Sequence, residues 1–231
     1  MQSTGHAVNS IGRASDGHAP RAAPDAFDIL EQFGCTVAIR RSHEIYRHNE
    51  PADHCWKIVS GCARKVMSME DGRRQVREFG WPGDLIGMDD VGTYFSGAEA
   101  VTDMTLRRYP RHVVDAHAKT HAALALRLWT MTLVNLRFAH KQINLLARRT
   151  AVERIASFLL DMDRQTGTAS GHIVDLPMNR TDIADHLGLS IETVCRNLVN
   201  LQRDGTVVLR RAGVQLVNRA ALLELACETR H

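Results

Sequence analysis

The residues best suited to chemistry lie close together near the C-terminal end. Glu192 and Arg196 are four apart in a run with helical spacing, so they share one helix face. A guanidinium can fork onto O6 and N7 of guanine, and a carboxylate can accept from the amino group of cytosine. Glu192 could also orient Arg196 through a salt bridge. Ile191 and Cys195 belong to the same exposed N-terminal half of that helix. Thr193 and Arg180 are placed to reach phosphates at the edge of a groove. Arg210 and Arg211 fall near the tip of a hairpin, a position suited to backbone contacts. Together these types and spacings point to readout of double-stranded DNA. The competing reading is an ordinary αα-corner carrying a surface Glu–Arg pair.

The elements that must hold these side chains are legible around them. Residues 179–205 read NRTDIADHLGLSIETVCRNLVNLQRDG. A short helix over 181–187 turns Ile183, Ala184 and Leu187 inward. Gly188 makes the turn, and Leu189 fills the corner. Ser190 is a good N-cap for a second helix over 191–203, with Val194, Leu198 and Leu201 inward. Asp204-Gly205 stops that helix. Two short helices about a glycine turn, with small Ala184 four residues before it, give a helix-turn-helix. Alternating segments over 206–211 and 214–218 around Ala212-Gly213 add a wing.

Upstream the chain changes character twice. Residues 1–24 are rich in Ser, Gly, Ala and Pro without a period, as expected for a disordered tail. Residues 25–33 predict a short amphipathic helix with Phe27, Leu30 and Phe33 on one side. From Cys35 to Tyr109, short apolar runs alternate with Asp-Gly, Pro-Gly and single Gly, which predicts an antiparallel β-roll. Asp71-Gly72 is its clearest hairpin turn. Residues 112–147 then read as one long helix without Pro or Gly, with two apolar stripes. One runs Leu124, Leu128, Met131, Asn135, Phe138, Gln142, Leu145; the other runs Leu126, Trp129, Leu133, Leu136, His140, Ile143. One stripe can pack on the roll and the other on a second copy. The spacing alone does not say which, and the first is taken as the dimer seam. A further helix over 151–163 and a strand over 172–176 complete the pattern. The fold class is α+β: a disordered tail (1–24), a β-roll (25–111), a dimerisation helix (112–147) and a winged helix-turn-helix (148–231).

Composition sets the limits. Of 231 residues, 44% are hydrophobic and 24% charged, which suits a globular chain. The formal charge of +3 is too small to argue for a polyanion partner by itself. From Arg148 onward there are 11 Arg against 10 acids, a net of +1, so DNA binding would lean on placed arginines and dimerisation. Five cysteines without a C-x-x-C exclude a disulfide framework, a zinc ribbon and an iron–sulfur run. No signal peptide or membrane span is evident, and the expected compartment is the cytoplasm. Twelve histidines show no recurring metal-ligand spacing, so no metal is expected. No Ser/His/Asp, paired-carboxylate or phosphate-loop constellation supports an enzyme.

β-roll, long helix and winged helix-turn-helix, in that order, resemble the Crp/Fnr family of bacterial transcription regulators. The resemblance is carried by WKIVSG at 56–61, DGRRQ at 71–75, PGDLIG at 82–87 and residues 183–196, and covers about 27–225. The E-T-V-C-R helix without iron–sulfur cysteines looks most like the FixK-type branch. That resemblance implies a homodimer with a cyclic-nucleotide-binding-like jelly roll, on a palindromic operator of the TTG-N8-CAA type. It implies control of oxygen-limitation, denitrification or nitrogen-fixation genes, mainly by activation. It also implies RNA polymerase contacts near 164–171 and 87–95. Where nucleotide-binding members carry an Arg-Ser pair for the phosphate, this chain has YFSGAE at 94–99, and Glu99 would repel a phosphate. Neither a cyclic nucleotide nor an iron–sulfur cluster is therefore expected, and no cofactor is assigned. Cys195 carries one further expectation, since oxidation or glutathionylation would set charge or bulk against the DNA. The alternative is a sensor whose β-roll binds haem or a metabolite and switches DNA affinity through the long helix.

Overall fold

The computed structural model describes residues 26–69, 72, 74–88, 92–148, 150–166, 173–211 and 213–226. The expected tail (1–24) and Asp71 of the hairpin turn lie outside the described residues, as do most of the loop 164–171 and part of 87–95.

A 3-10 helix, Asp28–Phe33, opens the described chain. It stands within the span, 25–33, where a short amphipathic helix is expected. A spacing of three aligns Phe27, Leu30 and Phe33 along a helix of three residues per turn. Phe27 and Leu30 are buried, whereas Phe33 stays partly exposed against His117.

Eight strands follow: β1 Cys35–Ile39, β2 Glu44–Tyr46, β3 His54–Ser60, β4 Ala63–Ser68, β5 Arg74–Gly80, β6 Leu85–Ile86, β7 Gly97–Ala100 and β8 Met104–Pro110. They form two antiparallel four-stranded sheets, ordered β1-β8-β3-β6 and β2-β7-β4-β5. Ile45, Trp56, Ile58, Ala98, Met104 and Leu106 come from both sheets and meet in one core. That is the predicted β-roll. The β3–β4 turn is tight at Gly61, whose φ of +88° and 2.5 Å approach of the Asp103 carbonyl to a would-be Cβ exclude any other residue.

The helix expected over 112–147 is two helices, α1 Arg111–Thr120 and α2 Ala122–Arg148. His121 is extended, with φ −120° and ψ 96°, and its ring Nδ1 lies 2.9 Å from the Thr120 hydroxyl. The break lets α1 bury Val114 in a cluster with Phe27, Leu30 and Tyr109, while α2 joins the same cluster through Leu124, Leu128 and Met131.

Within one chain the two stripes of α2 differ in exposure. Leu124 and Leu145 are buried within this chain, and Leu128, Met131, Asn135, Phe138 and Gln142 are half-buried against it. The inward stripe is held by apolar packing of Leu124, Leu128 and Met131 near Phe27, Leu30 and Tyr109, with one amide contact further along. Gln142 finds a partner in the chain itself, His186, 2.9 Å away. The outward stripe is the other one, with Leu126 65%, Trp129 61% and Leu133 45% exposed.

The C-terminal part holds α3 Ala151–Thr166, β9 Ile173–Asp175, α4 Arg180–Leu187, α5 Ile191–Arg203, β10 Val207–Arg210, β11 Gly213–Leu216 and α6 Arg219–Leu225. β9, β10 and β11 form one small sheet, in the order β10-β11-β9. Its core (Ile155, Leu159, Ile183, Leu187, Val194, Leu198) is continuous with Cys62, Val76 and Phe79 of the roll. Among the described residues, no helix is long and apolar enough to cross a membrane.

Candidate nucleic-acid interface

The site is built from α4 upward. Asn179 caps α4 by accepting from the Asp182 amide at 2.8 Å, and Asp182 accepts in return from the Asn179 amide at 3.4 Å. Gly188 ends the helix in the left-handed conformation, with φ +61°. The Leu189 amide then donates to the Ala184 carbonyl at 3.0 Å and closes the turn. Ser190 caps α5 as expected, its hydroxyl accepting from the Thr193 amide at 3.2 Å. Val194, Leu198 and Leu201 are buried, which leaves Ile191, Glu192, Cys195 and Arg196 exposed on one side of α5.

The individual side chains then differ in readiness. Glu192 is fully solvent-facing, and its carboxyl is held below the usual range by its own amide and by the Ser190 hydroxyl. It is turned to the helix start rather than to Arg196, so the salt bridge considered above is absent. Arg196 makes no ion pair among the described residues and is exposed. Thr193 is half-buried, with its hydroxyl 3.0 Å from that of Ser190. Arg180 is half-buried at the first residue of α4. In the wing, Arg210 donates to Gln215 at 2.8 Å, which fans it along the hairpin, and Arg211 is exposed at the tip. Asn197, an amide on the inner side of α5, is satisfied locally by donating to the Thr193 carbonyl at 2.8 Å.

Two of the described cysteines are chemically quiet. Burial pushes the thiols of Cys55 and Cys62 up to about 12. Cys35 and Cys195 are exposed. Among the described residues, no three His, Cys, Asp or Glu side chains are grouped to hold a metal ion.

Sequence reasoning missed the side chains that seat this domain on the roll. Arg154 donates to the carbonyls of Leu187 and Leu146, both at 2.9 Å, and so covers the ends of α4 and α2 with positive charge. Buried Asp182 takes a bidentate contact from Arg64, which also donates to Glu99. Glu99 is thus charge-paired rather than a bare repulsive carboxylate. His186 is buried among Phe79, Phe138 and Phe158, with Nδ1 3.0 Å from the Val76 carbonyl and Nε2 2.9 Å from Gln142. Burial pushes its pKa down to about 4. An Asn-x-x-Asp capping box could have flagged Asp182. Nothing local could have flagged Arg64, 118 residues away. Beside this joint, a cavity of about 850 Å³ opens between β5 and α2, lined by Gln75, Arg77, Met131 and Asn135 among others.

Known proteins share this arrangement. Residues 36–121 match the cyclic nucleotide-binding domain family, and 153–225 match the Crp-like helix-turn-helix domain family. The nitrogen fixation regulation protein FixK of Azorhizobium caulinodans is 40% identical over 201 residues, covering 85% of this chain and 81% of the relative. The FixK of Rhizobium meliloti is 35% identical, covering 90% of this chain and 98% of its own length. The structure of FixK2 from Bradyrhizobium japonicum superposes with a TM-score of 0.80 at 36% identity, over 85% of this chain and 99% of that one. These relatives are regulators, not enzymes. Identity at that level, over that share of both chains, settles the family: the protein is a Crp/Fnr-family transcription regulator of the FixK type.

Proposed function

We propose that the protein is a homodimeric, sequence-specific activator acting in the cytoplasm on an inverted repeat of the TTG-N8-CAA type, recruiting RNA polymerase to genes of oxygen limitation, denitrification or nitrogen fixation. One observation carries this reading: the N-terminal half of α5 leaves Ile191, Glu192, Cys195 and Arg196 uncovered, while Val194, Leu198 and Leu201 on its other side are buried. Arg196 forks onto a guanine, Glu192 accepts from a cytosine amino group, and the apolar Ile191 and the Cys195 thiol lie near thymine methyls. Arg180, Ser190, Thr193, Arg210 and Arg211 serve the phosphates. The uncovered stripe of α2 joins the two copies. No cyclic nucleotide or iron–sulfur cluster takes part.

Arg196→Ala should cost about 1–3 kcal/mol at one guanine and relax specificity there. Equal loss on all sequences would make Arg196 a phosphate contact only. The broader test is binding of reduced protein to a TTG-N8-CAA duplex without ligand, repeated after mild peroxide. Tight binding that peroxide abolishes in wild type but not in Cys195→Ser is the result expected of thiol control. Tight binding indifferent to peroxide would leave regulation to the amount of protein.

The cavity beside β5 favours a second reading, in which a small metabolite gates DNA binding. His186, the histidine in its walls, has both ring nitrogens engaged and offers no free haem ligand. Absence of specific binding by ligand-free protein, together with a metabolite-dependent rise in melting temperature, would favour this reading.

A further inference from the structure

The β-roll reaches the DNA-binding domain through one compact group of charges. Arg64, on β4, points its Nη1 at both carboxylate oxygens of Asp182, at 2.9 and 2.8 Å. Its Nε and Nη2 hold Glu99 of β7 at 2.8 and 2.6 Å. Arg74 of β5 closes the group, with Nη2 3.3 Å from Asp182 and 3.4 Å from Glu99. Two cations thus meet two anions, and the central pair is shielded from water: the Asp182 side chain is 1% exposed and that of Arg64 12%, with Arg74 and Glu99 partly exposed at the rim.

Asp182 has a second duty, since its carboxylate also completes the cap of α4. Whatever fixes Asp182 in space therefore fixes the start of that helix. Three residues separate α4 from α5, and the Leu189–Ala184 hydrogen bond and the shared apolar core stiffen that link. A change in the tilt of α4 would pass to α5 with little loss.

We propose that Arg64 is a positioning residue for DNA binding: acting through Asp182, it sets the angle at which the recognition helix leaves the β-roll, and so the spacing of half-sites that a dimer accepts. The inference rests on the dimeric reading above. Two recognition helices must enter grooves about one helical turn apart, and that requires a fixed angle between the domain and the roll. Without Arg64, buried Asp182 would keep Arg74 as its one counter-charge in this group, beside the Asn179 amide, an arrangement that favours opening to water. A bland role for the same group, simply adding stability, predicts no effect on spacing.

The test uses the full chain and duplexes carrying TTG-N7-CAA, TTG-N8-CAA and TTG-N9-CAA, with a parallel set in which the half-site guanine is changed. Wild type should prefer one spacing. In Arg64→Met that preference should fall by about tenfold, within the usual range of coupling between linked sites. The penalty for changing the guanine should stay the same. Arg64→Lys should fall between, because an ammonium cannot fork to two carboxylates. An unchanged spacing preference in folded Arg64→Met, or an equal fall in both penalties, would overturn the proposal. If Arg64→Met does not fold, Glu99→Gln tests the same point. It loosens Arg64 from the roll and spares the cap of α4, and an unchanged preference in it would equally count against the assignment. Wild type indifferent to spacing would instead overturn the dimeric reading, and the role of Arg64 with it.

Discussion

Leu133→Glu is expected to yield a folded monomer whose affinity for a full inverted repeat falls about a hundredfold or more, the avidity that two linked modules supply. Leu133 lies mid-way along the outward stripe of α2, between Trp129 and Leu136, and all three are exposed in the single chain. In a two-fold interface each such residue is buried twice. Losing a leucine costs about 2 kcal/mol per copy, and an unpaired carboxylate buried in its place costs more. Sedimentation velocity with a gel-shift titration would read both effects. Phe138→Glu provides the contrast. Phe138 faces inward, near His186, so that change should lower the melting temperature rather than separate intact subunits. A Leu133→Glu dimer of normal affinity would put the contact between copies elsewhere.

The second large effect is a loss of stability in mild acid that traces to one ring. Burial holds His186 neutral down to about 4, whereas the unfolded chain protonates it near 6.5. The unfolded state therefore binds more protons between those values, and stability falls as pH drops through that window. The full difference corresponds to about 3 kcal/mol, of which about 2 kcal/mol is lost by pH 5. The neutral ring fits its surroundings: Nδ1–H donates to the Val76 carbonyl, and Nε2 accepts from the Gln142 amide. A second ring proton would meet that amide head-on, with Asp161 the one acid that favours the charge. Urea unfolding at pH 7 and pH 5 should show the loss in wild type. It should be smaller by about 2 kcal/mol in His186→Gln, where nothing titrates at that position. Parallel pH profiles for the two proteins would mean that the buried ring titrates as it does in the unfolded chain.

How much of this was legible in the sequence depended on the range of the forces involved. The helix-turn-helix was, because each of its signals acts within four residues. Ser190 caps the helix that it precedes, Gly188 supplies the left-handed turn, and the inward faces follow from 3.6 residues per turn. The β-roll was legible as a class for the same reason, through its turn residues. The orientation of α2 was not, since two stripes of similar apolarity satisfy the same period. The burial of Leu124, Leu128 and Met131 against one cluster, and the partner that Gln142 finds in His186, 44 residues on, distinguish them. The break at His121 had no proline or glycine to announce it and comes from packing α1 and α2 against one cluster. The Arg64–Asp182 contact is further from local reasoning still, because two charges remote in sequence meet only once both domains are built.

The apolar core of the helix-turn-helix does not stop at the domain boundary. Val76, Phe79 and Cys62 of the roll belong to it, alongside Leu159, Ile183 and Leu187. This second sheet and the winged domain should therefore melt together as one cooperative unit. The lineage inherits a constraint from this. A volume change at Val76 or Phe79 is felt at once by the helices that address DNA, so the two halves of the molecule cannot drift independently or be freely exchanged with those of a distant cousin.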